Sequence, residues 1–127
     1  MNYLLDTHVL LWYIEGESKL SKESLITIED KNVVKIISIA SLWEIAIKIG
    51  KGKLNTSMPF EALATFIALN HFEILPIKFE HLTQLKELPN HHSDPFDHLL
   101  ISQSISENLT IISADRHFQS YPVNVIW

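Results

Sequence analysis

Four acidic residues in separate parts of the chain are the side chains best suited to do chemistry. Asp6 ends an apolar run, Glu44 and Asp97 lie in helix-like segments, and Asp115 closely follows a second apolar run. Carboxylates that a fold gathers into one place repel one another unless cations hold them together. If the fold gathers these four, the simplest interpretation is a metal-dependent enzyme.

The ligand types indicate which metal such a site would take. Hard divalent ions such as Mg²⁺ and Mn²⁺ prefer carboxylate and water oxygens. The sequence contains no cysteine, which excludes thiolate metal sites, disulfides and cysteine nucleophiles together. Four acids without cysteine therefore favour Mg²⁺, with Mn²⁺ as a substitute, over zinc. Because such ions polarise a phosphoryl oxygen and lower the pKa of a bound water, the predicted chemistry is hydrolysis of a phosphodiester.

The chain pattern predicts how these acids are positioned. Short β-rich runs alternate with longer segments of helical period, which is typical of βαβ units around a parallel sheet. Predicted strands cover residues 2–5, 34–37, 72–75, 109–112 and 123–126. Predicted helices cover residues 10–14, 42–49, 59–67, 79–88, a segment from 94 onward, and a short one at 116–120. We expect an α/β fold in one domain spanning residues 1–127.

The predicted sheet brings the acids toward one edge. In open α/β sheets, ligands bind at the carboxyl ends of the strands. Asp6 directly follows the first strand and Asp115 comes three residues after the fourth. Glu44 and Asp97 lie in early turns of helices whose amino ends should face the same edge. The sequence therefore predicts Asp6, Glu44, Asp97 and Asp115 as catalytic metal ligands.

Three of the acids also have a purely structural interpretation. Asp6 can cap the following helix, and Asp115 can cap the short helix at 116–120. Glu44 fits a capping box with Ser41, although Ser38 is an equally good cap for that helix. We nevertheless favour a functional role for each acid. An acid directly after a buried strand, such as Asp6, often marks a site, and Glu44 stands between apolar residues on a helix with little other polarity.

Asp94 and Asp97 compete for one role. Asp94 precedes Pro95, a common first residue of a helix, so Asp94 is the predicted cap and Asp97, one turn inward, the predicted ligand. The hydroxyls of Thr7 and Ser113 are expected to lie behind the ligands, in the layer that orients them.

Composition limits the class of protein. With 46% hydrophobic residues and a formal net charge of −5, the chain reads as an ordinary globular protein without a large basic surface for nucleic acid. Lys48, Lys51 and Lys53 cluster near one helix end, either as a solvated terminus, which we favour, or as a local contact for a phosphate backbone. A carboxylate at position 6 comes too early for a signal sequence, and no apolar run approaches about 20 residues. We expect a cytoplasmic protein that does not bind membranes.

Four motifs taken together resemble those of a known family. Residues 6–12 (DTHVLLW), 41–45 (SLWEI), 94–101 (DPFDHLLI) and 112–115 (ISAD) have the order and spacing found in PIN-domain ribonucleases of the VapC toxin type. Each motif alone is weak, but the set is specific and the resemblance spans nearly the whole chain.

The resemblance implies a three-layer α/β/α fold with a central, mostly parallel sheet, in a protein that is usually a homodimer. It implies an endoribonuclease with Mg²⁺ or Mn²⁺ held by the positions matching Asp6, Glu44, Asp97 and Asp115. It further implies a cognate antitoxin that wraps the toxin and blocks the site. Two positions depart from the common pattern: His8 stands where Asn is frequent, and Ser113 where Thr is frequent.

Three alternatives remain open at this point. His91, His92 and His98 flank the acids of the third motif, so a zinc or iron site of histidines and carboxylates is conceivable. A phosphatase of the haloacid dehalogenase type would use Asp6 as nucleophile, but it needs a second Asp where this chain has His8. A PIN-like module that has lost its ions and only binds a partner is the third alternative.

Overall fold

The expected alternation of strands and helices is present in the computed structural model, which describes residues 1–89 and 94–127. The strands are β1 (Asn2–Leu5), β2 (Val34–Ser38), β3 (Glu73–Leu75), β4 (Thr110–Ile112) and β5 (Asn124–Ile126). The α-helices of the described residues are α1 (Thr7–Glu15), α2 (Lys22–Glu29), α3 (Ile39–Gly50), α4 (Ala62–Leu69), α5 (Phe79–Lys86) and α6 (Pro95–Glu107), and a 3₁₀ helix covers Arg116–Ser120. Within these two ranges, no helix has the length and apolar character needed to cross a membrane.

All five strands form one sheet in the order β3-β2-β1-β4-β5, and each neighbouring pair is parallel. Strand β1 is central, with Tyr3 opposite Lys35 of β2 and Thr110 of β4. The chain order reverses on the two sides of β1, and open α/β sheets bind ligands at such a point, beyond the carboxyl ends of the strands. The predicted α/β class is confirmed.

Helices cover both faces of the sheet, which gives three layers. Successive residues of a strand point to opposite faces, so Leu4 belongs to one core cluster and Leu5 to the other. The cluster of Leu4 includes residues of α6 and the 3₁₀ helix, namely Leu100, Ile101 and Phe118. The cluster of Leu5 includes residues of α1 to α4, namely Val9, Leu10, Ile28, Ile45, Leu63 and Ile67. Strands buried on both faces explain why the predicted strand segments are almost continuously apolar.

Helix α2 is the element that the sequence pattern does not predict. Its β-branched residues Ile26, Thr27 and Ile28 lower the helix propensity of the segment. The helix forms because Ser21 caps it, its hydroxyl accepting a hydrogen bond from the Ser24 amide at 3.1 Å. Ile28, which is 2% exposed, packs into the core. A cap and a core contact therefore outweigh the weak intrinsic preference.

Other boundaries differ slightly from those predicted. Ser38 rather than Ser41 caps α3, since its hydroxyl accepts from the Ala40 amide at 3.0 Å. Pro59 does not open α4 directly, because its carbonyl closes a turn with the Ala62 amide at 2.9 Å before the helix begins. Helix α5 ends at Lys86, two residues earlier than predicted. None of these shifts moves a predicted strand off the sheet.

A buried histidine joins α5 to α6. His81 has no solvent exposure, and its Nδ1 accepts a hydrogen bond from the Lys78 amide at 3.0 Å. The ring proton therefore lies on Nε2, which donates to Glu107 Oε2 at 2.8 Å. The hydrogen bond from His81, together with the charge of Lys78, holds the pKa of Glu107 below its ordinary value.

We expect His81→Ala to lower the free energy of unfolding by about 2 to 4 kcal/mol, because it leaves a cavity and an unpaired amide. Urea denaturation at pH 7 measures this. Glu87→Gln is the control, since it breaks only the exposed pair with Lys86 and should have no measurable effect. The stability contributed by ionised Glu107 is present above the unfolded pKa of that group and is lost as pH falls through its lowered folded pKa. The difference in unfolding free energy between wild type and His81→Ala should therefore shrink in acid. Equal stabilities of the His81 variant and wild type would contradict this role.

Candidate functional site

Asp6 lies where β1 ends, at the reversal point of the sheet. Its amide donates to the Ile112 carbonyl at 3.0 Å, which fixes the backbone against β4. The residue is 4% exposed and stands at the cap position of α1. Its Oδ2 accepts a hydrogen bond from Ser113 Oγ at 2.8 Å. Burial raises the pKa of Asp6, while the Ser113 bond and the charge of His8 oppose that rise.

Ser113 links two of the predicted acids. This residue follows β4 and is 2% exposed, and its Oγ accepts from the Asp115 amide at 3.0 Å while donating to Asp6. Asp115 Oδ1 accepts from the His117 amide at 2.9 Å, so Asp115 also caps the 3₁₀ helix. The structural role proposed for Asp115 is therefore present, and it does not remove the side chain from the site. The His117 ring lies 2.9 Å from the same oxygen, a partner that the sequence analysis did not identify.

Glu44 enters the site from α3. The helix begins at Ile39, so Ser41 lies inside it and the capping box with Glu44 is wrong. The Ser41 hydroxyl instead accepts a buried hydrogen bond from Thr7 Oγ1 at 2.9 Å, which ties α3 to the first turn of α1. Glu44 is 5% exposed, and its Oε2 lies 2.7 Å from Lys48 Nζ.

Asp94 is the cap of α6, as the motif predicts. Asp94 Oδ1 accepts from the amides of Phe96 at 2.9 Å and Asp97 at 3.2 Å, which caps α6. Burial raises the pKa of Asp97 to about 8, and the charges of four other acids add to the effect, in the order Asp94, Asp6, Asp115 and Glu44. The structure thus brings all four predicted acids within range of one another's charge.

The carboxylates do not meet at one point, however. Among residues 1–89 and 94–127, no three acidic or histidine side chains lie close enough to form a ready-made metal site. Other groups bind individual acids: Ser113 contacts Asp6, Lys48 contacts Glu44, and His117 contacts Asp115. Buried like charges favour such separation until a cation offsets them. The donor set consists of carboxylate oxygens, and the pKa of Asp97 is raised by burial and then by the charges of the other acids, which fits a hard divalent ion.

The histidines contribute less than the acids. His8 is exposed on α1, with its ring 6.1 Å from that of Trp12. His98 Nε2 lies 3.2 Å from the Tyr121 hydroxyl. His91 and His92, with the loop predicted around them, lie outside the described residues.

An aromatic pair is adjacent to two of the acids in the sequence. Trp43 precedes Glu44 and Phe96 precedes Asp97, and their rings meet edge to face with centroids 5.1 Å apart. Trp43 is 54% exposed. A large aromatic side chain next to Glu44 in the sequence is therefore exposed to solvent.

The chain is similar to known proteins in both sequence and fold. A sequence profile of the PIN domain matches residues 3–124. The fold is similar to that of VapBC2 from Rickettsia felis bound to a DNA fragment from their promoter, at 22% identity, with 100% of this chain and 99% of that one covered and a TM-score of 0.76.

Two further solved structures show the same fold. DNA-bound VapBC from Salmonella typhimurium gives 15% identity, 99% and 97% coverage and a TM-score of 0.71. The PIN domain endonuclease Utp24 gives 12% identity, 93% and 74% coverage and a TM-score of 0.52. No curated protein sequence matches the chain.

Proposed function

Since the chain belongs to the PIN-domain family, we propose that it is a divalent-metal-dependent endoribonuclease and the toxin of a toxin-antitoxin pair. The observation that carries the proposal is that Asp6, Glu44 and Asp115 lie near enough to Asp97, at the carboxyl edge of a parallel sheet, for their charges to add to the effect of burial on its pKa. These acids come from four distant segments. Burying them together costs stability unless a bound cation offsets their repulsion, so we infer that they bind one.

The four carboxylates would hold Mg²⁺, with Mn²⁺ as a substitute. When bound there, the ion supplies a polarised phosphoryl oxygen and an activated water. The chain's own groups position the ligands. Ser113 orients Asp6, and the Thr7–Ser41 hydrogen bond holds α3, which carries Glu44, against α1. Asp97 keeps its proton near neutral pH in the absence of a cation, and gives it up when it becomes a ligand.

The open face of Trp43 supports a nucleic acid rather than a small phosphate ester as the substrate. Bases stack on exposed aromatic rings, and single-stranded RNA offers unpaired bases for this contact. The net charge of −5 argues that local contacts of this kind, and not a large basic surface, position the strand. RNA as substrate is consistent with action in the cytoplasm.

The partners proposed are a cognate antitoxin and a second copy of this chain. VapBC2 and VapBC, which share the fold, were solved bound to DNA. A toxin-antitoxin complex from Klebsiella pneumoniae has a similar fold, at 15% identity and a TM-score of 0.66. We extend that partner class to this protein, as one nuclease domain of residues 1–127 that acts as a homodimer and is silenced when an antitoxin covers its acids.

Incubation of the purified protein with RNA and Mg²⁺ or Mn²⁺ should give internal cleavage, and a chelator should stop it. Hydrolysis by water predicts products with a 5′-phosphate and a 3′-hydroxyl, which sequencing of the ends will reveal. Cyclic phosphate ends, or cleavage that persists in chelator, would contradict the mechanism. Calorimetry that detects no Mn²⁺ binding would favour the inert interaction module instead.

A further inference from the structure

Lys48 gives the acidic site a positive charge that belongs to the protein itself. An ionised carboxylate as buried as Glu44 is costly unless an opposite charge or hydrogen bonds compensate it. Lys48, one turn further along α3, supplies that compensation with its Nζ 2.7 Å from Glu44 Oε2. The lysine side chain is 40% exposed and the glutamate side chain 6%, so the pair reaches from the interior of the site to solvent.

This pair differs from an ordinary ion pair on a helix surface. Glu and Lys four residues apart contribute little when both are exposed. The Lys86–Glu87 pair is exposed in that way, with side chains 68% and 64% accessible. Glu44, in contrast, is buried, and its charge reaches the same Asp97 carboxyl that Asp6 and Asp115 affect. Lys48 therefore contacts one of the four acids of the proposed site at a buried position, unlike the exposed lysine of the Lys86–Glu87 pair.

We propose that Lys48 is a further residue of the nuclease site, which neutralises Glu44 before a divalent ion binds and contacts a substrate phosphate afterwards. The inference rests on the proposed function, because both roles require a divalent ion and a phosphodiester. A doubly charged ion competes with the single charge of the ammonium for Glu44. The flexible four-carbon stem of lysine lets the displaced ammonium move toward an incoming anion while it stays near the acids.

These two roles act on metal binding and on cleavage with opposite signs. Removing the charge of Lys48 removes a competitor for Glu44 and a charge that repels the ion, so the ion should bind more tightly. The same change removes a contact to the phosphate, so cleavage should slow. A lysine that merely holds Glu44 in place would behave differently, because its loss would weaken metal binding and cleavage together.

Lys48→Met tests this, since it keeps the apolar stem and removes the ammonium. Isothermal calorimetry should show Mn²⁺ bound about 3- to 10-fold more tightly. The kcat/KM for a single-stranded RNA should fall about 10- to 100-fold. Lys48→Arg keeps the charge and should return Mn²⁺ affinity to within about twofold of wild type. Lys86→Met, which loses the same charge from the exposed pair, should leave both quantities within about twofold of wild type.

Each outcome decides between the inferences. Unchanged or weaker Mn²⁺ binding by Lys48→Met, or unchanged cleavage, would overturn the role of Lys48 and leave the proposed function standing. Wild-type protein that neither binds Mn²⁺ nor cleaves RNA would overturn the proposed function, and this inference with it. If circular dichroism shows that Lys48→Met is unfolded, Lys48→Gln provides the same comparison.

Discussion

Asp6→Asn should lower kcat/KM for RNA cleavage by about a thousandfold or more while the protein stays folded. Asp6 is fixed at the reversal point of the sheet, and its carboxylate is the most buried of the proposed ligands. Asparagine has nearly the same shape and can still accept the hydrogen bond from Ser113, but it contributes no charge to a bound ion. Because the change also removes a buried carboxylate with a raised pKa, the metal-free variant should be at least as stable as wild type.

Cleavage assays with clean metal measure the first effect, and thermal unfolding followed by circular dichroism measures the second. Glu73→Gln is the matched control, since it neutralises an exposed acid on β3 and should change neither quantity. Wild-type activity in Asp6→Asn would show that the ligand set is wrong. Loss of activity accompanied by unfolding would show that Asp6 serves the fold.

Mn²⁺ affinity should fall steeply as pH drops below about 8. Burial, and then the charges of Asp94, Asp6, Asp115 and Glu44, raise the pKa of Asp97 to about 8, so binding at neutral pH must displace its proton. For one displaced proton, the affinity loses about tenfold per pH unit below that pKa. Calorimetry in buffers of different ionisation enthalpy should detect the released proton at pH 7. Affinity that is constant between pH 6 and 9 would contradict the assignment of Asp97.

The same carboxyl should make the metal-free protein less stable in alkali. The folded pKa of Asp97, about 8, lies above the ordinary value of 3.8. The stabilising effect of its proton is therefore full below the unfolded pKa and is lost as pH rises through the folded one. Asp97→Asn should remove this loss and be more stable than wild type at pH 9 by about 1 to 2 kcal/mol, a figure reduced for solvent screening of a partly exposed group.

Asp94→Asn provides the comparison for both measurements. Asparagine caps helices as well as aspartate does, so α6 should keep its first turn. Loss of the Asp94 charge removes the largest charge effect on Asp97, and the pH at which Mn²⁺ affinity begins to fall should move lower. An unchanged midpoint would mean that burial alone sets the pKa of Asp97.

The sheet could be predicted from the sequence because its strands are short apolar runs with no competing interpretation. Every predicted strand is present within one residue at each end. Helix α2 could not be predicted, since its cap at Ser21 and its single core residue Ile28 give little periodic signal. The local sequence could not decide whether Ser38 or Ser41 caps α3 either, because both serines precede apolar helix residues. Ser38 is the cap, and Ser41 instead binds Thr7 where α3 packs against α1.

The four acids proposed as ligands could be picked out from the sequence, but their arrangement could not. A strand end predicts where the backbone of Asp6 lies, and an early helical turn predicts that Glu44 lies near the same edge of the sheet. Neither predicts that the Glu44 carboxylate pairs with Lys48 instead of meeting the other three acids at one point. The spacing of four residues between Glu44 and Lys48 was nevertheless a usable signal for this ion pair. The distances from Glu44 to the acids at the end of β1 and on α6 depend on how these elements pack, which no single segment encodes.

The hydrogen bond between Ser113 and Asp6 joins residues that are 107 positions apart. During translation, the segment bearing Asp6 leaves the ribosome long before β4 exists to receive it. The pocket of acids therefore cannot assemble on a partly made polypeptide, because such distant contacts form last. If the proposed function holds, RNA cleavage therefore has to wait until the segment bearing Ser113 has been synthesised.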